Sequence, residues 1–311
     1  MVSESLGPFR LAPWFSPRPW GRRDLRPWYV DTGMMEPVGE AWLTGPASVV
    51  ETGAMAGQTL AAVAAVEGEA LLGAGGGAEF PLLVKLLFPS DKLSVQVHPD
   101  DAHAQAMGQP RGKTECWYVL EAEPGATIAL GMKPGATVDV VRAAIADGTM
   151  EAWMEWVPVS VGDMVFVDAG TVHAIGPGVV LLETQQTIDI TFRMYDYGRP
   201  RELHVEQALK VMRMQTAAGK VKPKTMDGFT RLIEQKYFVV DRYDVAAGSE
   251  VAVPGGRPGC LVGLSGVAAV IGGEDGEVEM FPGRAVVVPA GCGGVTVEAG
   301  VLTSFVRCWA P

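Results

Sequence analysis

Between positions 162 and 198 the chain reads GDMVFVDAGTVHAIGPGVVLLETQQTIDITFRMYDYG, short β-type runs cut every few residues by glycine turns. Strands this short and this close together leave no space for crossover helices. They predict hairpins that close as a β-sandwich or barrel rather than a parallel α/β sheet. The same texture returns from Phe229 to the end, in YFVVDRYDV, CLVGL, VAAVIG, RAVVVPAG and LTSFVRCWA, with almost no helical signal.

An internal repeat links the two regions. Gly162-DMVFV-Asp168-Ala169-Gly170-Thr171-Val172-His173 is matched in spacing by Gly283-RAVVV-Pro289-Ala290-Gly291-Cys292-Gly293-Gly294. The chain is therefore expected to be mainly β, with two sandwich domains at 1–225 and 226–311 and a few short helices. Helices are predicted at 61–74, at 137–148 with a Thr N-cap and a terminal Gly, and at 201–215. Residues up to Pro46, rich in Pro, Trp and Arg, predict an irregular arm packed by its aromatics, with an early strand at 38–43.

The chain has 311 residues, 48% of them hydrophobic and 20% charged, an ordinary balance for packed domains. The formal net charge of -11 argues against nucleic acid or an anionic membrane as partner. A small anionic substrate needs only a local cluster of Arg and Lys. No stretch reaches the length of a membrane span, and the first residues lack a basic segment followed by an apolar run, so a cytoplasmic location is expected. The four cysteines, Cys116, Cys260, Cys292 and Cys308, include no CxxC pair and predict reduced, buried thiols.

The segment 93–120, LSVQVHPDDAHAQAMGQPRGKTECWYVL, has residue types and spacing suited to a metal. A period of two along LSVQV puts Ser94, Gln96 and His98 on one face, with Leu93, Val95 and Val97 on the other. Pro99 ends the strand, a polar loop follows, and Glu115 opens the next apolar run. His173, just after a strand and a glycine turn, is the candidate that completes the set. Gln96, His98, Glu115 and His173 together offer two imidazoles, a carboxylate and an amide oxygen, a set that suits Zn²⁺ best and Fe²⁺ as well. His103 and His204 lack such company and are expected to be structural or exposed. No histidine follows His204 and Gly294 stands at the His173 position, so only the first domain can hold this site.

The runs LSVQVHPDD, GKTECWYVL, AGTVHAIG and DITFRMYDYGRPRELH resemble the type I mannose-6-phosphate isomerases in their compact bacterial form, a branch of the cupin superfamily. The resemblance extends from about Trp20 through Met212, with a weaker match beyond. Asp168 stands where that family more often has proline, and WGRRD replaces a more usual WGG. The resemblance implies two cupin-like jelly-roll domains and one zinc ion held by Gln96, His98, Glu115 and His173. It also implies a catalytic Arg193 and active-site roles for Lys113 and Glu183. Lys133, in the GMKPG turn, is expected on the surface. The implied reaction interconverts mannose 6-phosphate and fructose 6-phosphate through an enediol. The competing readings are an Fe-dependent oxygenase using His98, Glu115 and His173 as a facial triad, and a metal-stabilised sugar-binding module. A monomer and a homodimer are both compatible with the sequence.

Overall fold

The structure, a computed structural model, describes residues 6–273 and 276–311. Four sheets form two sandwiches. In the first, a seven-stranded sheet runs in the order Gly219–Val221, Met164–Val167, Glu115–Ala122, Val179–Gln186, Leu82–Leu87, Val38–Trp42 and Trp14–Arg22. It faces a five-stranded sheet in the order Phe192–Tyr195, Val95–Val97, His173–Ile175, Thr127–Met132 and Met154–Pro158. The second sandwich pairs another seven-stranded sheet with four strands, Ser249–Pro254, Gly294–Ala299, Ala268–Gly272 and Gly276–Met280. The expected two jelly-roll, cupin-like β domains are thus what the chain forms.

Each sandwich fills its interior from alternate residues of its strands. In the first, Leu87, Trp117, Val119, Ile128 and Leu181 meet between the sheets. In the second, Phe229, Tyr243 and Phe305 stack in series, with Leu261 and Val297 around them. The outer faces of the two large sheets are also apolar and pack on each other, Val84, Leu86, Cys116 and Leu182 against Val240, Cys260, Val306 and Cys308. A sheet buried on both sides explains why Leu82–Leu87 is apolar at nearly every position. All four cysteines are buried free thiols.

The division between sandwiches follows the chain with one exception. Gly219–Val221 pairs with the first large sheet and Lys224–Thr225 with the second, so the crossing falls at residues 222–223. The exception is Phe9–Leu11, which pairs with Ala285–Val288 and adds an N-terminal edge strand to the C-terminal sheet.

Three local expectations are corrected. The segment before Pro46 is not irregular: Trp14–Arg22 is the edge strand of the first large sheet, with register breaks around Pro17. Proline lacks an N–H and is tolerated at an edge, which is where this strand lies. The loop after Pro99 contains a helix, α2 (Asp101–Ala106), because Asp100 caps it through the His103 amide. The helix expected at 201–215 is only α4 (Val205–Val211). Arg201 is held by a bidentate ion pair with Asp196, and residues 201–204 stay outside the helix. The other helices, α1 (Leu60–Leu72) and α3 (Val138–Asp147), lie where expected, capped by Thr59 and Thr137. No helix among the described residues is long and apolar enough to cross a membrane.

Candidate active site

Two rows of side chains face each other across the first sandwich. On the small sheet Gln96 pairs in register with His173 on one side and Arg193 on the other. On the large sheet Glu183 lies opposite Lys85 and Trp117, and Glu115 opposite Gln185. Because side chains alternate along strands, each row points to one face, here the interior. Val95 and Val97 point away, onto α3 and α4. Leu93 departs from the expected alternation: it precedes the strand and packs into the sandwich interior.

His98, Glu115 and His173 converge, with ligand atoms all within 4.8 Å of one another. Nε2 of His173 lies 3.4 Å from Oε1 of Glu115, and Nε2 of His98 lies 3.6 Å from Oε2. The backs of both rings are fixed. Nδ1 of His98 donates to the Ile190 carbonyl and Nδ1 of His173 to the Thr171 carbonyl, each at 2.9 Å, so both Nε2 lone pairs face the cluster. Burial first, and the charge of Lys113 second, push the His98 pKa down to about 3. Burial likewise lowers that of His173, so both imidazoles are neutral. Burial opposes ionisation of Glu115, but the charge of Lys113 outweighs it and holds the carboxyl well below its usual value. Nε2 of His98 and Oε1 of Glu115 are buried without a hydrogen-bond partner, while Oε2 of Glu115 meets the Lys113 ammonium at 2.8 Å. Unpaired buried polar atoms are costly, and here they all point to one place, which is the pattern of a cation site. Gln96 completes the outline: its terminal amide sits 3.2 Å from Nε2 of His173, and a half-turn of that amide presents Oε1 instead.

The turn before His173 is tied to the other histidine strand. Gly170 has φ +88°, in the left-handed region, and its amide donates to the His98 carbonyl at 2.9 Å. Asp168 braces the turn by accepting from the Thr171 hydroxyl at 2.8 Å. The aspartate thus holds by hydrogen bonding a turn that proline holds by ring geometry at position 289.

Beside the cluster opens a cavity of about 460 Å³, and Gln96 and Lys113 are the lining residues that touch the cluster. Nζ of Lys113 is 2.8 Å from Oε2 of Glu115 and 3.9 Å from Oε1 of Glu183. Burial opposes its charge, yet the two carboxylates hold the ammonium above the ordinary lysine value. Burial and the nearby Glu115 raise the Glu183 pKa against the pull of Lys113 and Lys85. Arg193 stands at the far side of Gln96. Its guanidinium donates to the Glu202 carbonyl at 2.8 Å, while its Nε is buried without a partner. Its backbone amide donates to Nδ1 of His204, the residue just before α4.

Sequence reasoning missed several lining residues: Arg18, Glu40, Lys85, Asp189 and Arg201. Arg18 grips Glu40 through two hydrogen bonds of 3.0 and 3.1 Å. Arg201 is held by Asp196, and Lys85 lies 3.5 Å from Glu183. Among the described residues Arg193 is the one cation of this lining with no carboxylate in ion-pair contact. Lys85 had a legible signal, a charge in the middle of PLLVKLLF; Arg18 had none, since the arm was not expected to be a strand. His103, exposed on α2 and paired with Asp100, and Lys133, bonded to the Ala152 carbonyl, take no part.

The family model described as phosphomannose isomerase type I, catalytic domain, matches residues 9–133. Mannose-6-phosphate isomerase of Streptococcus mutans serotype c is 37% identical over 73% of this chain and 75% of its own. Mannose-6-phosphate isomerase ManA of Bacillus subtilis strain 168 is 33% identical over 86% of this chain and 88% of its own. The crystal structure of mannose 6-phosphate isomerase from Bacillus subtilis superposes with a TM-score of 0.86, covering 97% of this chain and 99% of that one at 28% identity.

Proposed function

The chain belongs to the type I phosphomannose isomerase family and is an aldose-ketose isomerase, and on that premise we propose how its residues act. The substrate is mannose 6-phosphate, interconverted with fructose 6-phosphate through an enediol. The observation that carries the reading is the cluster of His98, Glu115 and His173, joined through Gln96 and Lys113 to a cavity that Glu183 and Arg193 also line.

Gln96, His98, Glu115 and His173 would hold one Zn²⁺ per chain, in keeping with their mixed N and O donors and their unpartnered inward-facing atoms. When bound, zinc supplies positive charge that favours negative charge developing on the sugar oxygens. The remaining work falls to the chain. Moving a proton between C1 and C2 needs a base within hydrogen-bond reach and fixed charge near the enediolate. Glu183, raised toward neutrality by burial, and Lys113 beside it are the proton-handling pair. Arg193, permanently cationic and unneutralised, receives the enediolate or the phosphate. A facial-triad oxygenase would use the same histidines and carboxylate but would leave Lys113, Glu183 and Arg193 without a task.

The division into a catalytic domain, residues 1–225, and a C-terminal domain without metal ligands, 226–311, belongs to the same proposal, with Phe9–Leu11 and Lys224–Thr225 lent to the second large sheet. It is supported by matching registers: Gly294 pairs with Pro254 as His173 does with Gln96, and Gly259 with Val288 as Glu115 does with Val167. A coupled assay of mannose 6-phosphate turnover, with elemental analysis of the same sample, tests the function. Turnover accompanied by about one zinc per chain is expected, and oxygen consumption without isomerisation would overturn the reading.

A further inference from the structure

The loop that carries Lys113 is held from the second domain. Oδ1 of Asp101, on the first turn of α2, accepts from the Gly112 amide at 2.9 Å and from Nε2 of Gln186 at 3.0 Å. Oε1 of the same Gln186 accepts from the Thr114 amide at 3.0 Å. The backbone is therefore clamped on both sides of Lys113, whose own amide donates to the Pro99 carbonyl at 3.0 Å. Gly112 is pressed against the start of α2: a Cβ there would lie 2.4 Å from the carbonyl carbon of Asp100. Oδ2 of Asp101 accepts from the Tyr237 hydroxyl at 2.5 Å. Tyr237 sits in the turn between Thr230–Glu234 and Val239–Val245, two strands of the second sandwich.

A carboxylate near a helix N-terminus has other uses for its oxygens, including solvent and the helix amides. With Oδ2 taken by Tyr237, Oδ1 of Asp101 is left facing Gly112 and Gln186. Nζ of Lys113 stands within 4 Å of two carboxylates at once, 2.8 Å from Glu115 and 3.9 Å from Glu183. A loop shift of about 1 Å is enough to lose such an arrangement. We infer that Tyr237 is a positioning residue of the active site: through Asp101 it fixes the Gly112 to Thr114 backbone, and with it the place of Lys113. The C-terminal domain, which contributes no ligand, thereby takes part in turnover. The catalytic half of this inference rests on the isomerase reading of the site; the loop-holding half does not.

The test combines hydrogen exchange and kinetics on the full-length, metal-loaded enzyme. In Tyr237→Phe and Asp101→Ala the Gly112 and Thr114 amides should exchange faster. The kcat should fall about threefold and about tenfold respectively, with KM and metal content unchanged. Asp101→Asn keeps Oδ1 as acceptor and offers Tyr237 a donor, so it should behave like the wild type. Arg242→Met removes a different bond between the domains, from Arg242 to the Tyr118 hydroxyl at 2.7 Å. It should lower thermal stability without changing exchange in the loop. Unchanged loop exchange in both hub variants would overturn the inference. So would faster exchange with unaltered kcat, or Arg242→Met loosening the loop equally. An enzyme without isomerase activity would sink the functional reading alone, because exchange still reports whether Tyr237 holds the loop.

Discussion

Nζ of Lys85 lies 3.5 Å from Oε1 of Glu183, and the two side chains are 3% and 6% exposed. On its other side Lys85 approaches Glu40 at 3.9 Å and lies over the Trp42 ring at 4.5 Å. Charges at this depth persist only as a set, since removing one leaves its partner buried without compensation. Lys85→Met should therefore destabilise the protein by about 3 to 5 kcal/mol and lower kcat as well. Thermal denaturation and the coupled assay measure both, and an unchanged melting temperature would contradict the account of this network.

Glu40 gives the same network a pH signature. Burial opposes its ionisation, but Lys85, Arg18 and the Trp42 indole outweigh it and lower its pKa below the usual 4.5. A carboxyl whose folded value lies below its unfolded value adds stability at higher pH. That stability is complete above the unfolded value and is lost as pH falls through the folded one. Melting temperatures recorded between neutral pH and pH 3 should fall less steeply in Glu40→Gln than in the wild type. Equal slopes would mean that Glu40 is not the carboxylate responsible.

Metal removal separates holding from catalysis. Chelation should abolish isomerisation and added zinc should restore it. His173→Ala should emerge from purification without metal, because it deletes one of only two imidazoles in the cluster. Full metal content by elemental analysis in that variant would remove His173 from the ligand set.

Arg193 should behave in the opposite way. It lies beside Gln96 rather than within the cluster, so Arg193→Ala should retain metal and lose turnover by about a hundredfold or more, the scale for removing one fixed charge-stabilising donor. Arg193→Lys should recover little, since an ammonium cannot reproduce the guanidinium fork. Normal kcat in the alanine variant would refute its role.

The second sandwich makes a prediction about stability. Phe305 is fully buried and stacks on Tyr243 with ring centroids 4.9 Å apart. Phe305→Ala should cost about 3 to 5 kcal/mol, the range for truncating a buried aromatic. Metal content and kcat, measured well below the melting temperature, should stay as in the wild type. Loss of metal in this variant would count against placing the whole site in the first domain.

What the sequence determined by itself was local in origin. Alternating short strands specify sandwiches because a period of two buries one face of every strand. The spacing Gln96, His98 places two donors on one strand, and the glycine turn before His173 aims a third. The Thr137 cap marks a helix start because capping needs only neighbouring residues. Tertiary structure decided whatever depends on residues far apart in the chain. Nothing in the arm before Pro46 announces that Trp14–Arg22 joins a sheet edge and brings Arg18 to Glu40, because an edge strand is defined by its partner. Arg201 belongs to Asp196 and not to α4, since a half-buried bidentate ion pair outweighs weak helical propensity. The Nε2 lone pair of His98 points at Glu115 only because a carbonyl far along the chain, that of Ile190, holds the ring from behind, whereas His173 is held by the Thr171 carbonyl two residues away. Residue types name the candidate donors in advance, but their convergence is set by strand register and by hydrogen bonds that exist once the chain has closed on itself.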